Sequence, residues 1–203
     1  LQTVLAEKFP AFADLDIPPE IVESVTLSTM HGCPPDEIEQ ISRYLLDTRR
    51  LHTFVKLNPT LLGKERVLEI LHDHLGFEDI SIEDKVFEHD LQYGRAVELI
   101  SGLKAVAVQH DLTFGVKLSN TLAMSNHREV LPGEEMYMSG RALYPITMDL
   151  FRKLTLEFEG DLNVSYAGGA DALNVTSLLS CGTLPVTSVS DLLKPGGYSR
   201  FLQ

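Results

Sequence analysis

Short runs of β-branched and apolar residues alternate with longer amphipathic stretches along this chain. The short runs predict strands at 24–28, 53–57, 79–82, 113–118, 162–166 and 185–189. The longer stretches predict helices at 35–48, 64–75, 89–110, 145–158 and 170–180. An alternation of strands and helices indicates parallel strands joined by right-handed crossovers.

Two architectures fit this alternation: an open doubly wound sheet and a (β/α)8 barrel. The Rossmann sheet needs a GxGxxG turn after its first strand, and the chain contains no such motif. Polar residues cluster instead after nearly every strand, which is typical of sites on the strand ends of a barrel, at 29–33, 58–60, 120–121, 168–169 and 190–191. The pattern therefore favours an α/β fold, a partial TIM-type barrel.

Six strands are too few to close a barrel of the usual length of about 250 residues. The chain also begins at Leu1 with a helix-like phrase. We therefore expect residues 1–203 to form a single domain, the C-terminal part of a barrel whose first strands lie upstream. Within it, 1–20 is expected to be a helical lead-in and 126–141 a long loop over the strand ends.

Composition limits the partners. The chain has 203 residues, 44% of them hydrophobic, and a formal net charge of −12, which argues against nucleic acid or an anionic membrane surface. No apolar run reaches the length of a membrane span. Cys33 and Cys181 lack CxxC spacing and are typical of cytoplasmic thiols. We expect a cytoplasmic protein with a small-molecule substrate, whose open barrel edges favour a homodimer or contacts with other chains.

Two predicted strands carry a lysine inside the same phrase, "FVKLNPT" from Phe54 and "GVKLSNT" from Gly115. Because parallel strands are covered on both faces, neither Lys56 nor Lys117 is expected to point simply to water. A buried ammonium needs a counter-charge or an anionic ligand. The residues alone leave both interpretations open, the first being an ion pair with a carboxylate such as Glu83.

Glycine-rich and hydroxyl-bearing strand ends suggest a phosphate site. "SYAGGADAL" ends a strand at Gly168 and Gly169, with a helix predicted to begin immediately after them. Ser188 and Ser190 follow the next strand, and barrels commonly bind phosphate on the loops after their last two strands. The alternative is an ordinary tight turn between strand and helix.

The segment "TLSTMHGCPPDE" follows the first strand and places Thr29, His31 and Cys33 in one loop. Cys33 is a candidate general acid or nucleophile that His31 could tune. A metal site from these two residues lacks further ligands at a recognised spacing. The alternative is a Gly-Cys-Pro-Pro turn that begins the next helix.

The phrases "TLSTMHGCPPDEIE", "FVKLNPTLLG", "LPGEEMYMSGRALYP" and "SDLLKPGGY" resemble the barrel domain of the selenate reductase subunit family, which are large iron–sulfur flavoproteins. That barrel in turn resembles, in shorter phrases, the flavin-binding barrel of dihydropyrimidine and dihydroorotate dehydrogenases. The resemblance implies an FMN-type redox domain of a larger oxidoreductase. Iron–sulfur clusters and FAD or NAD(P) would then belong to other parts of the parent protein or to redox partner subunits.

The same resemblance implies roles for individual residues. Lys56 corresponds to the lysine that contacts the flavin ring, with Asn58 beside it on the same strand end. Contacts to flavin or substrate are implied for Ser119, Asn120 and Thr121, and contacts to the FMN phosphate for Gly168, Gly169 and Ser190.

This chain departs from the dehydrogenases at the chemistry. Their substrate-binding Asn and proton-donating Cys are replaced by Thr26 and Thr29, and Lys117 has no counterpart in them. A hydroxyl is a poorer proton donor than a thiol of pKa about 8.5. The candidate catalytic residues are therefore Cys33, Thr29 and Lys117, with no metal ligand.

Two other functions fit the residues. A degenerate barrel that no longer binds flavin would act as a scaffold or docking domain, which the threonine replacements favour. A phosphate-binding lyase or aldolase would use Lys56 or Lys117 as a Schiff-base lysine.

Overall fold

The computed structural model describes residues 2–16, 20–29, 31–129 and 131–202. Within these ranges the strands are Ser24–Ser28 (β1), His52–Leu57 (β2), Phe114–Leu118 (β3), Leu122–Ser125 (β4), Glu135–Met138 (β5) and Asn163–Tyr166 (β6). The α-helices are Gln2–Lys8 (α1), Pro35–Arg43 (α2), Lys64–Glu69 (α3), Asp84–Glu88 (α4), Tyr93–Gln109 (α5), Tyr144–Glu157 (α6) and Val175–Ser180 (α7). Short 3-10 turns lie at Pro10–Phe12, Pro59–Leu62, Gly140–Leu143 and Gly197–Phe201.

The main sheet is parallel, with strand order β1-β2-β3-β6. A single parallel bridge joins Tyr166 of β6 to Val186, so the segment that follows β6 begins a fifth position at that edge. The sheet is a curved portion of a barrel that stays open within the described residues. The predicted α/β barrel architecture is thus present, with parallel strands linked by helical crossovers.

Strand alternation sends one face of the sheet into a helix-covered core. Val55 and Leu57 of β2 align with Val116 and Leu118 of β3, and all four are buried. They pack with the buried apolar stripes of α5 and α6, which include Leu99, Ile100, Leu103, Ile146, Leu150 and Leu154. Because successive side chains point to opposite faces, Ser28 of β1, Lys56 of β2 and Lys117 of β3 lie on the other, inner face.

The predicted helices are present, some with different limits. The segments predicted at 35–48 and 64–75 are α2 and α3, each extended by a wider π-type turn, Tyr44–Thr48 and Ile70–His74. α2 carries Asp36 and Glu37 in its first turn and Arg43 in its last, which complements the helix dipole. None of the described helices combines the length and apolar character needed to cross a membrane.

The strand predicted at 79–82 is wrong. Those residues form a turn and an irregular segment, and the Ser81 carbonyl accepts one hydrogen bond from the Ser125 amide. Ile82 is buried and Ile80 packs against the core, so the alternation anchors a loop rather than a strand. The strand beside β2 is therefore β3, within the segment predicted at 113–118.

The long loop predicted at 126–141 contains regular structure. β5 pairs with β4 in an antiparallel hairpin, from Leu122 opposite Met138 to Ser125 opposite Glu135. The Asn126 side chain donates hydrogen bonds to the Leu131 and Gly133 carbonyls at 2.5 and 2.8 Å, which closes the turn of this hairpin. Sequence periodicity missed the hairpin because both of its strands are only four residues long.

The last predicted elements are shorter than expected. The helix predicted at 170–180 begins only at Val175, after a turn in which the Asn174 side chain accepts a hydrogen bond from the Asp171 amide. The strand predicted at 185–189 has the one bridge at Val186. Thr187 continues alongside β6 by donating its amide hydrogen to the Tyr166 carbonyl at 2.7 Å.

A candidate flavin and anion site on the inner face of the sheet

The two lysines of the repeated phrase are direct neighbours on the inner face. The strand register aligns Lys56 with Lys117, with Ser28 on one side of the pair and Ser165 on the other. The Lys117 Nζ donates a hydrogen bond to the Thr187 Oγ1 at 2.9 Å. These four side chains form a row on the inner face, two ammonium groups flanked by two hydroxyls, which we call the lysine row.

Neither lysine has an acidic partner. Among the described residues, no carboxylate lies within ion-pair distance of either Nζ. The suggested pairing with Glu83 is wrong, since its Oε2 lies 3.0 Å from the Lys85 Nζ at the start of α4. Burial lowers the pKa of Lys56, and burial followed by the charge of Lys56 lowers the pKa of Lys117.

An aromatic ring closes the inner face below the lysine row. A Cβ placed on Gly115 would lie 2.5 Å from the Phe54 ring, so glycine is needed there for the ring to lie across β3. Phe54 and Gly115 are aligned across the two strands, two residues before the lysines. The row is thus open mainly toward the carboxyl ends of the strands, where barrel sites are built.

Five of the predicted site residues meet at those strand ends: Thr29, Cys33, Lys56, Asn58 and Asn120. The Asn120 Nδ2 donates to the Asn58 Oδ1 at 2.7 Å and approaches the Thr29 carbonyl at 3.4 Å. Thr29, Cys33, Lys56 and Asn58 line one shallow pocket. Ser119 does not join them, because its buried hydroxyl bonds to the Asn120 carbonyl and to the Thr147 hydroxyl.

His31 belongs to a network that the sequence did not reveal. Its Nδ1 lies 3.0 Å from Asp90 Oδ2, and its Nε2 lies 3.0 Å from the Thr121 carbonyl. The buried Asp90 also accepts hydrogen bonds from the Gly32 amide and the Thr60 hydroxyl, both at 2.8 Å. The network fastens His31 and Gly32 to Asp90 and, through it and the Thr121 carbonyl, to the segments after β2 and β3. Asp90 is 59 residues from His31 in the chain, so no local spacing signals it.

The partners of His31 determine its protonation. A carboxylate and a carbonyl both accept, so both ring nitrogens must carry hydrogen for the two bonds to form. The hydrogen bond to Asp90 raises the pKa of His31 above 6.5 despite its burial. Burial alone would raise the pKa of Asp90, but the hydrogen bonds from His31, Gly32 and Thr60 outweigh it and lower that pKa. The raised pKa of His31 and its two acceptors both favour the protonated ring.

This arrangement changes the expectation for Cys33. His31 is occupied by Asp90 and Thr121 and does not tune the thiol. Burial, followed by the charge of Glu37, raises the pKa of Cys33. A raised pKa disfavours the thiolate and hence a nucleophile. The thiol of Cys33 therefore stays protonated at the edge of the pocket.

The glycines of the predicted phosphate cradle pack against the protein. A Cβ at Gly168 would overlap the Thr147 side chain, and one at Gly169 would overlap the Gly140 carbonyl. The amides of Gly168 and Gly169 bond to the Leu118 and Ala167 carbonyls. Since α7 begins only at Val175, the expected helix terminus beside the glycines is also wrong.

At the predicted phosphate site, two cationic side chains are available instead of free backbone amides. Arg141 and Lys194 line a cleft together with Gly169, Ser190 and Asp191. The Arg141 Nε donates to Asp171 Oδ2 at 2.7 Å, and Asp191 Oδ1 accepts from Lys194 and Arg200 at 3.1 Å each. Both aspartates are buried. The sequence analysis missed Arg141 and Lys194, although both lie within the phrases quoted for the resemblance.

One segment connects the lysine row with this cleft. Thr187 holds Lys117, and Ser190 lines the cleft three residues further along the chain. Three residues span at most about 10 Å. A molecule with an anionic or polar ring at one end and a phosphate at the other would find cations at both ends of this segment.

Among the described residues no cluster of three or more His, Cys, Asp or Glu side chains is arranged to hold a metal ion. The acidic residues near the site form ion pairs: Asp90 with His31, and Asp171 with Arg141.

The fold and the strand-end position of this site define a TIM-barrel domain. Residues 4–203 match the family described as "Oxidoreductase YgfK, N-terminal TIM-barrel domain", and the chain belongs to this oxidoreductase family. It is 53% identical over 184 residues to "Putative oxidoreductase YgfK" of Escherichia coli strain K12, and equally to that of strain O157:H7. The match covers 91% of this chain but only 18% of the length of each relative.

Among solved structures, the crystal structure of a ligand-free DHODH from Eimeria tenella is similar over 80% of this chain and 53% of that one. The identity is 15% and the TM-score is 0.43. A likeness at this level supports no conclusion about function.

Proposed function

We propose that this chain is the FMN-binding redox domain of a larger iron–sulfur flavoprotein oxidoreductase, with a selenate reductase-like role for the parent protein. The observation that carries the proposal is the placement of Lys56, which has no acidic partner among the described residues, beside Asn58 and Asn120, one segment away from the cleft lined by Arg141 and Lys194. Iron–sulfur and FAD or NAD(P) modules elsewhere in the parent protein, or in redox partner subunits, would supply the electrons.

The residues present fit FMN through side chains rather than through backbone amides. Lys56 would lie at the electron-rich edge of the ring, with Asn58 and Asn120 as polar neighbours. Arg141, Lys194 and the Ser190 hydroxyl would hold the phosphate, because the amides of Gly168 and Gly169 are already bonded within the chain. Arginine and lysine suit a phosphate because charge-assisted hydrogen bonds are about twice as strong as neutral ones.

Bound FMN would supply reversible transfer of electrons or hydride. The chain itself contributes charge, closure and protons. Lys56 would favour negative charge on its ligand, the Phe54 ring lies against Gly115 on the same face, and the network fixes His31 and Gly32. Cys33, kept protonated by its raised pKa, is placed to donate a proton to a substrate in the pocket that it shares with Lys56.

The first experiment measures flavin in the purified full-length protein and in its Lys56→Met variant. Cofactor is released and identified by chromatography, so that FMN is separated from the FAD of other modules. We expect the variant to lose FMN while retaining FAD and iron. Lys104→Met is the matched control, since Lys104 pairs with Asp161 on the helical side. Equal FMN content in the Lys56→Met variant and the wild type would refute the assignment.

A second variant tests the phosphate end. Lys194→Met removes one cation from the cleft but leaves Arg200 paired with Asp191. Loss of one charge-assisted contact should weaken FMN binding roughly tenfold to a hundredfold, while riboflavin, which lacks the phosphate, should bind both proteins alike. Equal weakening of both ligands would show that the cleft does not hold the phosphate.

A scaffold without flavin is the second candidate. The observation that favours it is the internal bonding of the amides that the family resemblance assigned to phosphate. In that case full-length protein would contain no FMN, and FMN titration would leave its absorbance spectrum equal to the sum of its parts.

A further inference from the structure

A flavin site needs only one lysine, so it does not explain why Lys56 and Lys117 are neighbours. Neighbouring parallel strands lie about 4.8 Å apart, and aligned residues of such strands project to the same side. Lys56 and Lys117 are aligned, and both are half-buried. Two like charges are thus held side by side by the register of the central strands, where neither can swing to a different face.

Many of the other cations in the described part of the chain are paired with acids, unlike these two lysines. Arg66, Arg95 and Arg141 each contact a carboxylate at 3.0 Å or less, and Lys85 and Lys104 also have acidic partners. The chain carries 29 acidic residues and an excess of negative charge. In the described part of the chain none of these acids is close enough to pair with Lys56 or Lys117. The protein as a whole has an excess of acid, and what is missing is a carboxylate beside these two lysines.

The surroundings of the two lysines suit a small anion. Ser28 and Ser165 lie at the two ends of the row, and Thr187 orients the Lys117 ammonium through its hydroxyl. Phe54 closes the space below, and the Asn58–Asn120 amide pair stands at the strand ends above. The two lysines thus have an aromatic ring on one side and polar groups on the other.

We propose that Lys56 and Lys117 together form an anion-binding subsite, which takes a carboxylate or other oxyanion group of a small ligand between the two ammonium groups. Burial and then the charge of Lys56 lower the pKa of Lys117, and an anion there would offset the second of these effects. Lys117 is the residue that distinguishes this subsite, because Lys56 is shared with the proposed flavin site.

The anionic group has two possible sources. It belongs to the substrate, as a carboxylate beside the ring, or to the flavin itself, whose reduced ring is anionic. This choice rests on the proposed function, whereas anion binding by the lysine pair does not. Acetate and inorganic phosphate are suitable probes, because they offer the charge without a ring.

The experiment uses full-length protein with reductively 13C-methylated lysines, observed by NMR during titration with acetate and then with phosphate. Two lysine signals should shift together and saturate in the wild type. Lys117→Met should remove one signal and weaken the response of the other at least tenfold, and Lys117→Arg should restore part of it. The control variant Lys104→Met should titrate like the wild type. A saturable response that survives in Lys117→Met would overturn the proposal, as would no response in the wild type.

Repeating the titration after FMN loading separates the sources. If acetate still binds beside oxidised FMN, the subsite serves a substrate carboxylate; if FMN abolishes the response, the subsite serves the flavin. Failure of the two proposals is distinguishable. A protein that binds no FMN but shows the lysine response refutes only the flavin function. Tight FMN binding that is indifferent to Lys117→Met, with no anion response, refutes only the subsite.

Discussion

The His31 network and the lysine row lie next to each other and treat charge in opposite ways. In the network, every polar atom of the Asp90 carboxylate and the His31 ring has a partner at 3.0 Å or less. In the lysine row, Lys56 and Lys117 lie side by side, and no described carboxylate is within ion-pair distance of either. The first arrangement stabilises the fold and fixes a loop. The second leaves two like charges without a counter-charge, which is the reason we propose a ligand there.

The largest effect is expected from breaking the network. Asp90→Asn removes the charge that His31, Gly32 and Thr60 bind. Loss of the charged acceptor at this buried site should lower the free energy of unfolding by about 2–4 kcal/mol. Urea denaturation of the variant and the wild type measures this difference. Asp47→Asn is the matched control, because Asp47 pairs with His110 at 2.7 Å on the surface. Exposed pairs contribute about 0–1 kcal/mol. Equal losses in the two variants would contradict a structural role for Asp90.

A substitution in the lysine row should change the free energy of unfolding in the opposite direction. Lys117→Met removes a half-buried ammonium that repels Lys56 and has no acidic partner. We expect the free energy of unfolding to stay the same or to rise, by up to about 1 kcal/mol, since no ion pair is lost and apolar surface is added. The measurement is the urea midpoint in the absence of ligand. A clear loss of stability in this variant would show that the row is structural like the network.

The pH dependence gives the smallest effect and sharpens the same contrast. The pKa of His31 is raised in the folded protein, so its contribution is complete below 6.5 and is lost as the pH rises through the folded value. The pKa of Asp90 is lowered, so its contribution is present above 3.8 and is lost as the pH falls through the folded value. The imidazole signals of His31, followed by NMR, should titrate above pH 6.5 in the wild type. In Asp90→Asn they should titrate at lower pH, and an unchanged midpoint would contradict the network.

Much of the fold was predictable because it rests on local signals. The central strands β1, β2, β3 and β6 and the long helices α2, α5 and α6 lie where alternation and helical periodicity indicated. The errors occurred where a short pattern is ambiguous. At 79–82 the apolar side chains Ile80 and Ile82 anchor a loop, and the hairpin of β4 and β5 is too short to show a period.

The candidate site was predictable only in outline. Lys56, Asn58, Asn120 and Thr29 were identified from strand ends, and the structure brings them together. Gly168 and Gly169 were identified for a phosphate role, whereas their immediate neighbours are Thr147 and Gly140. That difference depends on how α6 and the preceding turn pack against β6, which no spacing within the glycine motif contains.

The sequence by itself determined the parallel α/β architecture and the placement of polar residues after the strands, because alternation and topology act over a few residues at a time. Only the tertiary structure decided which charges meet. Asp90 reaches His31 across 59 residues, and Thr187 reaches Lys117 across 70. Strand register alone aligns the two lysines. Whether a charged residue stabilises the fold or awaits a ligand depends on these distant partners, because an ion pair forms only where packing brings its two members within a few ångströms.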